Sequence, residues 1–372
     1  MSTAVFDEAV AEKVLAGERI TREDARELYR LPLNELGELA NIRRNLAKRD
    51  AYDGRGKGVV TYIVDRNINY TNVCNVYCKF CAFYRTEKDA DHYVLTLDQL
   101  DRKLDELTAI GGVQILLQGG HHPKLGIGHY LTMLAHIREK YPHINIHGFS
   151  PPEFQHFADV FKMPLREVIV KFKDAGLGSI PGGGGEILVQ RVRDEVAKKK
   201  AGADRWLEIM EIAHQEGMKT SVTMMYGIGE TLAERLEHLE RVREVQARTG
   251  GFTAFICWPL QPENTPRMSH MVKTDAVDYL RTVAISRIAL QNVPNIQSSW
   301  VTMGMKVGQT ALRFGCNDFG SLMIEENVVS AANTTHRTSI AEMERLIHDA
   351  GFKSARRRQD YSLVSPDAVA AA

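Results

Sequence analysis

The sequence predicts an α/β protein built as an eight-stranded (β/α)8 barrel of the TIM type, with one extension before the barrel and one after it. Two observations carry that expectation. From Val59 onward, short β-branched or apolar runs alternate with longer amphipathic stretches, the pattern of repeated β-α units around a parallel sheet. The segments rich in cysteine, glycine and carboxylates then follow the strand candidates, and the ends of the strands are where such barrels carry their active sites.

Residues 1–58 carry helical periodicity and charge. Thr21-Arg-Glu-Asp24 reads as a capping-box start, followed by Leu28, Leu31, Leu33 and Leu36, and the segment is expected to be a helical extension. The barrel is expected over 59–321, with strands at 60–69, 113–118, 144–149, 178–180, 219–226, 252–258 and 296–301 and a weak one near 315–319. Helices are expected near 97–110, 130–141, 165–175, 204–216, 232–249, 275–291 and 306–314. Residues 322–372 should form a helical or irregular extension packed on the barrel.

The 372 residues suffice for one large barrel, and an apolar fraction of 44% supplies its core. Forty-seven basic residues balance forty-seven acidic ones. No net field draws the protein to nucleic acid or to an anionic membrane, so small-molecule partners are expected. No apolar run reaches the roughly 18 residues of a membrane helix, and Met1 to Ala16 mixes acids with apolar residues. A cytoplasmic location follows as an expectation. Five cysteines, three of them within eight positions, suit a metal in a reducing compartment better than a disulfide framework.

Those three stand as Cys74-x3-Cys78-x2-Cys81 directly after the first strand. Three thiolates on one loop can hold three irons of a [4Fe-4S] cluster, whereas a closed cluster takes four, so one iron stays open to a small-molecule ligand. A zinc site with a fourth ligand such as His92 is the bland alternative, but zinc more often pairs two cysteine knuckles and no second knuckle exists. Cys257 and Cys316 lie in apolar strand contexts and read as small buried hydrophobes.

Gly119-Gly120 follows the second strand, either as a tight turn or as bare backbone that a ligand can approach. Four glycines at 182–185 are more than one turn needs, which suggests a chain stripped of side chains beside a cofactor. Glu153, Glu186 and Glu230 each end a loop at the expected mouth. There a carboxylate accepts hydrogen bonds from hydroxyl or ammonium groups, or serves only as a helix N-terminal acid, Glu230 above all. His121, His122, His129, His136, His143 and His147 are scattered over different elements, and Lys198-Lys199-Lys200 reads as a solvated charge run.

With this cysteine spacing, Phe80 just before the third cysteine, Gly119-Gly120 and Thr223-x-Met225-x-Gly227-x-x-Glu230, the chain resembles the radical S-adenosylmethionine enzymes. Further runs narrow the resemblance: Asp65 to Asn72, Phe80 to Arg85, Phe149-Ser-Pro-Pro-Glu153, Ser179 to Glu186, Asn295 to Met303 and Asn317 to Ser321. Together they resemble the dehypoxanthine futalosine cyclases of the futalosine route to menaquinone, over roughly residues 30–362. The sister aminofutalosine synthases and deazaflavin-forming enzymes share the cysteine loop and part of the glycine run. His121 before His122-Pro123, and Gly185, depart from the expected pattern.

The resemblance implies a [4Fe-4S] cluster on Cys74, Cys78 and Cys81 whose open iron chelates S-adenosylmethionine, giving a 5′-deoxyadenosyl radical on reduction. It assigns Phe80 to adenine, and Gly119 and Gly120 to the methionyl amino group. Glu153 and Glu186 are assigned to ribose or amino contacts with Ser150 beside them, Met225 and Gly227 to the adenine side, and Arg193 to the methionyl carboxylate. The radical would take a hydrogen from ribose C4′ of dehypoxanthine futalosine, and the carbon radical would close onto the benzoate-derived ring. Loss of a proton and an electron then restores aromaticity. Asp318, Glu153 and His147 are the candidate bases, and reduced flavodoxin or ferredoxin is the implied electron donor. An aminofutalosine synthase, a deazaflavin-synthase-like enzyme and a structural zinc barrel are the competing readings.

Overall fold

Ten strands make one parallel sheet in the computed structural model, which describes residues 8–365. Residues 1–7 and 366–372, which the sequence assigns to the two extensions, lie outside the described residues. The strands are β1 Val59–Ile63, β2 Asp65–Asn69, β3 Gln114–Gln118, β4 Asn145–Gly148, β5 Ser179–Ile180, β6 Lys219–Tyr226, β7 Phe252–Pro259, β8 Asn295–Gln297, β9 Asp318–Ser321 and β10 Lys353–Arg356. Their neighbours run β10-β1-β9-β8-β7-β6-β5-β4-β3-β2.

Only Val64 separates β1 from β2, so the sheet curls back on the stretch of chain from which it starts. At that residue the hydrogen bonding changes partner: Leu322 N–H donates to the Ile63 carbonyl at 2.9 Å, and Val113 N–H to the Val64 carbonyl at 3.0 Å. β1 therefore pairs with β9 and β2 with β3. The expected TIM-type barrel is present, its first strand in two pieces. Every residue of β1 and β2 is buried, as strands covered on both faces require.

Three differences from the sequence reading bear on the site. The strand expected at 296–301 stops at Gln297, and Trp300–Met303 turns into a helix; the Ser298 hydroxyl donates to the Gly308 carbonyl and the Ser299 amide to the Tyr279 hydroxyl, which takes the backbone off the ladder. A helix over Pro151–Phe161, not expected from the sequence, starts at Ser150 with a capping box closed by Glu153. Finally, β10 adds a strand beside β1, with Val59 opposite Lys353 and Tyr62 opposite Arg356. Lys-Ser-Ala-Arg has no β-branched run to announce it.

Outside the sheet, helix Arg22–Tyr29 begins at Thr21 with the expected capping box to Asp24. Helix Leu33–Ala47 packs on helix Ala276–Ala289 and sends Arg44 under the barrel, where its guanidinium donates to the carbonyls of Cys316, Lys57 and Val59. No helix among the described residues is long and apolar enough to cross a membrane.

Candidate active site: two adjoining chambers

After β2 the chain swings out as a loop that is tied at its neck. Leu95 N–H donates to the Tyr70 carbonyl, Arg85 N–H to Asn72 and Cys74 N–H to Arg85, at 2.8–2.9 Å. The Asn72 side chain clasps both Asp91 and Tyr93. Tyr77 sits at φ 59°, a left-handed turn that brings the loop back on itself. Held this way, Cys74, Cys78 and Cys81 all line one cavity of about 320 Å³ at the ends of the strands.

Seven further residues expected from the sequence reach the same cavity: Phe80, Gly119, Gly120, Ser150, Glu153, Glu186 and Met225. The glycines permit close approach. A Cβ on Gly120 would lie 2.2 Å from the Val73 carbonyl oxygen, so only a bare backbone lets the loop after β3 meet the start of the cysteine loop. Gly184 combines φ +71° with a Cβ position 2.4 Å from Pro152, and no larger residue fits there.

The two carboxylates have different duties. Glu153 is buried and accepts from the Tyr70 hydroxyl at 2.7 Å, the Gly119 amide at 3.0 Å, and both the amide and hydroxyl of Ser150 at 2.7 Å. Burial raises its pKa, while these donors pull the other way. It locks together the loops after β2, β3 and β4, and its acceptor capacity goes to the protein itself. Glu186 pairs with Lys200 at 2.7 Å and Arg193 at 3.3 Å, from a left-handed φ of 31°.

Lys200 corrects the sequence reading. Lys198 and Lys199 are exposed, but Lys200 folds inward, lines the cavity beside the cysteines and stands 5.1 Å above the centre of the Phe80 ring. Burial works against its charge, yet Cys78 and Glu186 outweigh burial and raise its pKa above the ordinary lysine value. Arg193 does not reach the cavity lining. Its guanidinium is buried and spent on the carbonyls of Ala201 and Gly185 and on Glu186, because the helix Gln190–Ala197 packs it beneath the glycine loop. Gly227 is also outside the lining; with Ile228 it donates its amide to Glu230, a carboxylate that caps its own loop and pairs with Arg235.

Among the described residues no three His, Cys, Asp or Glu side chains gather closely enough to share a single metal ion. Three thiols around one cavity suit a cluster, in which each sulfur takes its own iron. Burial raises the pKa of Cys74 and pushes Cys78 up to about 12, with Lys200 opposing it in each case. Thiols held in this way favour the neutral form, and a bound metal would supply what a thiolate needs there.

A second chamber of about 220 Å³ lies inside the barrel. Its lining includes Asp65, Gln114, His147, Ser221, Gln297, Trp300, Arg357 and Tyr361, drawn from β2, β3, β4, β6, β8, the turn after β8 and the tail after β10. The two chambers are contiguous: Leu116, Gln118, Gly183, Trp258, Met323 and Glu326 belong to both linings.

Of the candidate bases, His147 faces this inner chamber, with Nδ1 2.7 Å from the Ser179 hydroxyl. Burial, with Arg357 nearby, pushes its pKa down to about 3, so it is a weakly basic imidazole. Asp318 does not line either chamber. Its carboxylate is fully buried, taken by both arms of Arg357 and by the Thr61 hydroxyl. Sequence reasoning missed Asp65, Lys200 and Arg357. Asp65 carries the one usable signal, a carboxylate inside the run 60–69 that reads as a strand and is buried along its whole length; Arg357 depends on β10, which the sequence does not announce.

Comparison with known proteins agrees with this architecture. Residues 68–242 match the model of the radical SAM superfamily and residues 249–368 that of the CofH/MqnC C-terminal region. The chain is 43% identical to cyclic dehypoxanthine futalosine synthase of Halalkalibacterium halodurans, covering 96% of this chain and 95% of the relative. It is 44% identical to the synthase of the same name from Streptomyces coelicolor, over 95% of this chain and 87% of that one. Among solved structures, methylornithine synthase superposes with a TM-score of 0.72 at 17% identity, covering 93% of this chain and 97% of that one.

Proposed function

We propose, from the premise that this chain belongs to the radical SAM superfamily and within it to the family carrying the CofH/MqnC C-terminal region, that it cyclises dehypoxanthine futalosine to cyclic dehypoxanthine futalosine, a step of menaquinone biosynthesis. The shared wall carries the reading: a chamber with three thiols opens directly onto a chamber enclosed by the barrel. A radical made in one can reach a substrate in the other without crossing bulk water.

Cys74, Cys78 and Cys81 hold the cluster, and Lys200, not Arg193, faces the carboxylate of S-adenosylmethionine. When bound and reduced, the pair supplies a primary carbon radical that takes the hydrogen from ribose C4′. Gly119 and Gly120 present bare backbone to the methionyl amino group, and Phe80 and Met225 flank the adenine. Glu153 and Glu186 act at one remove. Glu153 fixes the Gly119 amide and Ser150, while Glu186 fixes Lys200. The inner chamber holds the substrate with its ribose toward Gln118 and Gly183 on the shared wall and its ring deeper, between β2 and the tail after β10. Fixing the two reacting carbons in this way is what lets ring closure compete with quenching of the carbon radical. Reduced flavodoxin or ferredoxin delivers the electron that starts the cycle.

The test is an anaerobic incubation of reconstituted protein with dehypoxanthine futalosine, a reductant and S-adenosylmethionine, read by mass spectrometry. A product lighter than substrate by two hydrogens is expected. Unchanged substrate, with turnover of a vinyl-ether derivative of chorismate instead, would move the chain to the aminofutalosine synthases.

A further inference from the structure

Ring closure leaves a tetrahedral ring carbon that must give up its hydrogen as a proton, and five titratable side chains line the inner chamber: Asp65, His147, Glu326, Arg357 and Tyr361. Three are held by hydrogen bonds elsewhere, and the hydroxyl of the fourth, Tyr361, has no hydrogen-bond partner among the described residues. Arg357 is a cation with both arms on Asp318 and its remaining nitrogen on the Arg358 carbonyl. Glu326 spends its carboxylate on the backbone amides of Val328, Val329 and Ser330. His147 rests against the Ser179 hydroxyl, with Ser221 and Gln359 3.4 and 3.5 Å from its other nitrogen. Tyr361 is a phenol lying under the Arg357 guanidinium at 4.0 Å, and burial keeps it protonated.

Asp65 differs from all four. It is the first residue of β2, 4% exposed, and its carboxylate takes hydrogen bonds from the Ser321 hydroxyl on β9 and from the Gln114 amide on β3 at 3.3 Å. Both partners are neutral, and no cation touches it. Two strands of the barrel wall therefore hold a carboxylate without a salt-bridge partner against the chamber; Arg357 from the tail acts on it from farther off, and His147 from β4, Glu326 from the segment after β9 and Tyr361 from the tail are the other titratable groups lining the same chamber.

We propose that Asp65 is the base that takes the ring proton after the carbon–carbon bond has formed, an inference that rests on the cyclase reading above. The ring radical loses that proton to the Asp65 carboxylate and one electron to an oxidant of the iron–sulfur class, which restores the aromatic ring and leaves Asp65 neutral. Burial pushes the Asp65 pKa up to about 6, with Ser321, Gln114 and Arg357 restraining it. The group is thus ionised at neutral pH and still basic enough for the transfer.

The decisive variant is Asp65→Asn in the full-length, reconstituted protein. Formation of cyclised product should fall by about 10²–10⁴-fold, while 5′-deoxyadenosine formation and hydrogen removal from C4′ stay within a few-fold of wild type. Wild-type kcat should rise with pH through about 6, and the variant should lose that limb. Independently of turnover, an infrared difference spectrum of the protein without cluster should show a carboxyl band titrating near the same pH that is missing from Asp65→Asn. Cyclisation by Asp65→Asn at the wild-type rate with an unchanged pH profile overturns the assignment while leaving the cyclase reading intact. Wild-type protein inert toward dehypoxanthine futalosine overturns both. If Asp65→Asn fails to fold, Ser321→Ala decides: loss of a donor to the carboxylate should move the acid limb to higher pH, and an unmoved limb contradicts the proposal.

Discussion

The two chambers are built by opposite strategies. The mouth chamber is made from contiguous segments, the cysteine loop, the Gly-Gly turn and the four-glycine run, each of which brings several lining residues at once. Its charge is local, with Lys200 and Glu186 paired 2.7 Å apart. The inner chamber takes one to three residues from each of many strands together with the runs 181–183 and 298–302, and the ion pair of its Arg357 with Asp318 behind the wall joins β9 to the tail beyond β10. A cofactor common to many substrates can be held by portable loops. A particular substrate needs a wall assembled from the whole barrel, and the difference predicts that damage to the mouth stops radical formation, whereas damage to the interior uncouples it from product.

The sharpest way to break the comparison is Cys78→Ala. Wild-type protein reconstituted without oxygen should carry about four irons per chain, and the variant should lose cleavage of S-adenosylmethionine by roughly 10³-fold or more; full cleavage by the variant would empty the mouth chamber of its role. Next in size is Arg357→Leu in the inner chamber. Leaving Asp318 buried without its partner should cost about 3–5 kcal/mol in urea unfolding, and the double variant Arg357→Leu/Asp318→Leu should recover much of that loss.

Asp65→Asn should move stability the other way. The folded pKa of about 6 lies above the ordinary carboxylate value of 3.8, so between those two values the native state binds more protons than the unfolded chain. Stability therefore falls as pH rises through that window, and the cost is complete above about 6. The variant should gain up to about 3 kcal/mol at neutral pH and nothing below about pH 4, as measured by unfolding across pH. A variant both more stable and uncoupled would mark Asp65 as a group kept for chemistry at the expense of stability. Last, Lys200→Met should weaken binding of S-adenosylmethionine by roughly 10-fold or somewhat more, the worth of one charge-assisted hydrogen bond, with iron content unchanged. Equal affinity would return the carboxylate to another partner.

The same contrast explains what could be read from the sequence. Strands alternating with amphipathic helices leave a periodic trace, and the barrel was legible from it. The cysteines, Phe80, Gly119, Gly120, Ser150, Glu153, Glu186 and Met225 were legible as members of short motifs, and all of them line the mouth. What a motif cannot say is which way a side chain turns. Arg193 looked like a carboxylate anchor and is packed beneath the glycine loop. Lys200 looked like part of a solvated run and is drawn in by Glu186 and Phe80. Asp318 reads as a base in the sequence and is neutralised by Arg357, the residue that follows a strand of four residues whose sequence carries no β pattern. The inner chamber was the least legible because its residues meet only after the barrel has curled closed at Val64.

The central claim, that the thiol-lined mouth and the barrel interior are one reaction vessel, is tested most directly by isotope transfer. Dehypoxanthine futalosine carrying deuterium at ribose C4′ is incubated with reconstituted protein, reductant and S-adenosylmethionine, and both products are weighed. Deuterium in 5′-deoxyadenosine together with a cyclised, deuterium-free product is the predicted result. Unlabelled 5′-deoxyadenosine released while the substrate stays intact would show that the two chambers do not act on a common substrate, and would contradict the account.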